Sequence, residues 1–129
     1  MDDKTAAANG LLQITEDDLY LDIGLHLYGR PALAPSREEA IQRAKRWFSL
    51  KRKELANVVC TSDRLKALAR QDVPTHELVV TVCGVLDVVT HIMGGVPGIT
   101  VSALLVRLGL HEFCADLWES KHQHEDSHG

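Results

Sequence analysis

Residues 75–95 read THELVVTVCGVLDVVTHIMGG, and how this stretch folds decides the class of the whole chain. Valine favours strands, but a strand from Leu78 to Met93 would be roughly three times the usual length. A helix over about 76–93 spans about 27 Å at the standard rise per residue, an ordinary crossing of a core. Thr75 stands where an N-cap belongs and Glu77 puts negative charge in the first turn. Gly94 and Gly95 supply a left-handed end, and Pro97 blocks continuation. Asp87 and His91 interrupt the apolar run, which falls short of the roughly 20 apolar residues that a bilayer requires. The stretch therefore reads as a central buried helix.

The flanking sequence predicts further helices around it. Thr15, followed by Glu16, Asp17 and Asp18, opens one whose stripe is Leu19, Ile23 and Leu27, with Gly29 at its end. Residues 30–35 hold Pro31 and Pro35 and form a connector. Ser36 to Glu39 has the S-x-x-E form of a capping box, and the helix after it extends to about Val59 on the apolar set Ile41, Ala44, Phe48, Leu55 and Val59. Short helices follow: one opened by Thr61 or Ser62 and running to 71, one from Thr100 to Leu108, and one over 110–120, with Phe113, Leu117 and Trp118 at i, i+4 and i+5. The expectation is an all-α, compact single-domain bundle of about six helices. Its helical domain covers 15–120, after a flexible N-terminus at 1–14 and before a polar, His-rich tail at 121–129. At 129 residues and 45% hydrophobic, the chain has enough apolar material for one aliphatic core.

Charge is distributed unevenly. Between residues 43 and 70 stand Arg43, Lys45, Arg46, Lys51, Arg52, Lys53, Arg64, Lys66 and Arg70 against only Glu54 and Asp63, a local net of +7 within a chain of net −4. The bland interpretation is a solvated helix face. A sharper one is a basic face that meets an acidic one, such as Glu16, Asp17, Asp18 and Asp22, on another protein or another copy. Nucleic acid ranks lower, because the pI is 5.9 and no aromatic-rich basic motif appears. The 99–119 hairpin has helix-turn-helix outlines, but its second helix carries Glu112, Asp116 and Glu119, which phosphates repel.

The three cysteines, Cys60, Cys83 and Cys114, are odd in number and sit in apolar helical contexts, which predicts buried thiols and a cytoplasmic location. His111 and Cys114, three apart on one helix, are the weak candidates for a metal site or a nucleophile–base pair. Without a third ligand or an oxyanion donor, no metal, cofactor or catalytic residue is assigned. The sequence thus points to a non-enzymatic protein–protein interaction module, an adaptor or regulatory subunit that engages another protein or itself through charged faces, away from membranes. The alternative is a helical DNA-binding regulator that uses the basic face or the 99–119 hairpin.

Overall fold

The computed structural model describes residues 3–28 and 36–118. Its helices are α1 (Asp3–Leu11), α2 (Glu16–Tyr28), α3 (Arg37–Val59), α4 (Asp63–Ala69), α5 (Thr75–Leu86), α6 (Thr90–Met93), α7 (Gly98–Leu108) and α8 (Leu110–Phe113), with one more helical turn over 115–118. No strand occurs among the described residues, and the all-α class implied by the sequence holds. The connector at 30–35 and the tail at 121–129 lie outside the described residues.

The expected central helix is broken in two. α5 ends at Leu86, Asp87 and Val88 form a turn, and α6 restarts at Thr90. Within α5 the buried positions are Val79, Val82, Cys83 and Leu86. Had the helix continued in phase, Thr90 would face the core and Ile92 would face solvent. The break re-phases the chain, so that Ile92 and Met93 are both buried and Thr90 is exposed. Gly94 then takes the left-handed conformation at φ 56°, as the sequence predicts for the end.

The most enclosed element is α7, in which every residue from Thr100 to Leu105 is buried. It begins after Pro97 rather than at Thr100, so the Thr100 hydroxyl does not cap it. That hydroxyl instead donates to the Asp22 carboxylate at 2.7 Å and ties α7 to α2. α5 packs on α7 and also touches α1, α3 and α4, so the two apolar helices share the centre. Phe48 links the layers, lying edge-on to Tyr20 and stacked on Phe113.

Residues 1–14, expected as a flexible lead-in, carry α1. Alanine is the strongest helix former, and Ala8 is fully buried against the core. The Arg107 guanidinium donates to the carbonyls of Leu12 and Ile14 at 2.8 and 2.6 Å and fixes the link from α1 to α2. Thr15 and Ser36 cap where the sequence puts them, accepting from the backbone N–H groups of Asp18 and Glu39, and of the two candidates Thr61 and Ser62 it is Ser62 that accepts from Leu65. Thr75, expected as an N-cap, is instead the first residue of α5, which follows Pro74 with no side-chain cap.

Candidate interaction surface

α3 is a long helix with two different charged sides. Its buried stripe is Ala40, Ile41, Ala44, Phe48, Leu55 and Val59. Lys45 and Arg52 flank this stripe, whereas Arg46 and Lys53 stand opposite it, by the 3.6-residue period.

The flanking cations are engaged within the chain. α2 lies along α3, and the acidic residues at its start meet the basic helix. Arg37 donates to Asp18 at 2.8 Å, and Lys45 approaches Asp17 at 4.0 Å while standing over the Tyr20 ring. The hydrogen bond from Arg37, with that from the Thr15 hydroxyl, holds the Asp18 carboxyl below its ordinary range. Lys51 pairs with Glu54 at 3.9 Å, and the Arg52 guanidinium sits over the Phe113 ring. Asp22 accepts from Thr100. Three of the four acidic candidates, Asp17, Asp18 and Asp22, therefore already have partners inside the molecule, and only Glu16 points to no contact described here. Opposed charge is used first to seat α2 on α3.

Arg46 and Lys53 are exposed and, among the described residues, form no ion pair. Between them Leu50 is 75% exposed, one turn from each. Beside this stripe, Ser49, Arg52, Lys53, Ala56, Asn57, Phe113, Asp116 and Leu117 line a shallow cleft of about 410 Å³. Leu117 is 37% exposed at its edge. Of the remaining basic candidates, Arg43 is an exposed residue of α3, whereas Arg64, Lys66 and Arg70 belong to α4 and its C-cap. The three at α4 stand on a separate helix from the outward stripe of α3.

The His111–Cys114 pair does not survive as a site. Cys114 is bonded to Cys60 in a disulfide with Cα atoms 5.5 Å apart, so its sulfur is neither a free nucleophile nor an open ligand. His111 lies edge-on to Trp118, with Nε2 3.3 Å from the Ala69 carbonyl oxygen. The disulfide overturns the expectation of three thiols. It joins residues 54 apart in sequence, a proximity that only the packing of α8 on the end of α3 creates. Trp118 reinforces it by donating from Nε1 to the Cys60 carbonyl at 2.9 Å. Cys83 alone is a free thiol, and it is buried. Burial pushes its pKa up, and the neighbouring Asp87 carboxylate adds to this, which leaves a poor nucleophile.

The 99–119 hairpin likewise departs from a recognition motif. Its second helix stops after four residues at Phe113 and is anchored by the disulfide. No described helix is long and apolar enough to cross a membrane.

These features define a disulfide-tied helical bundle with an outward cationic stripe. Comparison of the chain with protein-family models, curated proteins and solved structures finds no match.

Proposed function

We propose that this chain is a non-enzymatic interaction module, an adaptor or regulatory subunit, whose outward face on α3 engages an acidic surface of another protein. The observation that carries the reading is Leu50, 75% exposed between Arg46 and Lys53, cations that form no ion pair among the described residues. An apolar side chain within a charged ring is the arrangement of an interface anchor, in which the apolar group contributes affinity and the charges contribute orientation and rate.

The partner of Arg46 and Lys53 is a different molecule rather than the acidic end of α2 in a second copy, because that end is occupied within its own chain. Duplex DNA is the second reading, favoured by the length of α3, 23 residues with cations along it. Glu38, Glu39 and Glu54 on the same helix oppose it.

The test is a double reversal, Arg46→Glu with Lys53→Glu, which spares every internal contact described above. The wild-type chain is expected to co-purify from its native host with an acidic protein in fixed stoichiometry. The variant loses that protein while keeping its helical circular dichroism. Retention of the same partner by the variant rejects the reading, and salt-dependent retention of duplex DNA in place of a protein favours the second one.

A further inference from the structure

We propose that the Cys60–Cys114 disulfide is a redox latch that holds one wall of the cleft beside α3 in place. The latch concerns the state of that wall and does not depend on which molecule meets the outward face. α3 supplies one side of the cleft through Arg52, Lys53 and Asn57, and the chain beyond α7 supplies the other through Phe113, Asp116 and Leu117. The bond sits where the two sides meet: Cys60 is three residues past Asn57, and Cys114 directly follows Phe113. Both cysteines are helix C-caps, of α3 and of α8. Breaking the bond therefore interrupts no helical hydrogen-bond ladder.

Leu110 and Phe113 are buried and keep α8 in the core. The turn over 115–118 has no such anchor at its start, because Cys114, at φ −97° and ψ 4°, separates it from α8. A single helical turn does not stand alone in water. This one is tied to the end of α3 by the disulfide and by the Trp118 Nε1–H donated to the Cys60 carbonyl at 2.9 Å. A dithiol reductant opens the latch by exchange. Its thiolate attacks one sulfur of the pair to give a mixed disulfide, and its second thiol displaces that bond. Cys60 and Cys114 are left as thiols, and the reductant leaves as a cyclic disulfide with the two electrons accounted for. Both cysteines are buried, so attack follows a local opening of the turn. In the reduced chain Asp116 and Leu117 leave the cleft, and only its α3 side and Phe113 remain.

The test compares the full chain before and after dithiothreitol, with alkylation and mass spectrometry verifying that the bond has opened. A Cys83→Ala background confines the chemistry to the one pair. Fluorine NMR of 5-fluorotryptophan protein reads Trp47 and Trp118, the two tryptophans of the chain. On reduction the Trp118 resonance is expected to move while that of Trp47, in α3, stays and the helical circular dichroism is kept. Backbone order parameters over 115–118 should fall from about 0.85 to below about 0.6. Oxidised dithiothreitol should restore both. The Cys60→Ala, Cys114→Ala variant should match the reduced chain and respond to neither reagent. Order parameters over 115–118 that stay high after reduction overturn the proposal. So does loss of helical signal on reduction, which makes the bond a rivet of the whole fold, or a change that reoxidation does not reverse.

Discussion

Gly24 marks the tightest crossing in the molecule. It is buried where α2 crosses the start of α3, and a Cβ there would overlap the Ala40 carbonyl, lying 2.6 Å from its carbon. Backbone cannot yield as the tip of a side chain can. Gly24→Ala therefore prises α2 from α3 and is expected to cost about 1–3 kcal/mol, seen as a lowered denaturation midpoint. Asp18 is informative in another way. Its carboxyl is held below the ordinary value of 3.8 by Arg37 and Thr15. A depressed folded-state pKa contributes stability that is complete above the unfolded value and disappears as pH falls through the folded one. Arg37→Ala should narrow the gap in stability between wild type and variant as pH drops below about 4, and leave it constant above about pH 5. Denaturant titrations across that range measure it, and NMR titration of Asp18 should show its pKa rising toward the ordinary value in the variant.

At the scale of elements, what was legible in the sequence was what local chemistry determines. Thr15, Ser36 and Ser62 announce helix starts through their own hydroxyls, and Gly94 announces an end because few other residues tolerate its backbone. The class of the fold followed from these ends and from apolar periodicity. The break at 87–89 was not legible, because Val88 and Val89 satisfy either a continued helix or a turn. The choice depends on which of Thr90 and Ile92 the core accepts. The candidate surface was half legible for the same reason. Counting charges located the basic segment, but only packing shows that Lys45, Lys51 and Arg52 have contacts within the chain while Arg46 and Lys53 face outward. The Cys60–Cys114 pairing lay beyond any local signal. By the chain-entropy model, closing a loop of 54 residues restricts the unfolded chain by about 4 kcal/mol. The paired variant Cys60→Ala, Cys114→Ala should accordingly show a clearly lower denaturation midpoint under non-reducing conditions. Alkylation of unfolded, unreduced wild type followed by mass spectrometry should label Cys83 alone, and all three cysteines after reduction.

Across the whole molecule, charge has two separate uses. The contacts between α2 and α3 join exposed or partly exposed side chains, and such screened pairs contribute little to stability. They orient one helix on the other more than they hold the bundle together, which falls to the apolar interior shared by α5 and α7. The outward cations add little to folding, so they can be changed freely in experiments on partner capture. The disulfide also alters what a single cut in the chain does. Arg70 and Gln71 are exposed in the link between α4 and α5, and that link lies between the two bridged cysteines. Trypsin cleavage after Arg70 would sever the polypeptide without releasing either piece. On a denaturing gel the clipped protein should run as one band until a reductant is added, and then as two. A protease that attacks this loop would leave the sequence on both sides covalently joined, with α3 and α8 still bound to each other.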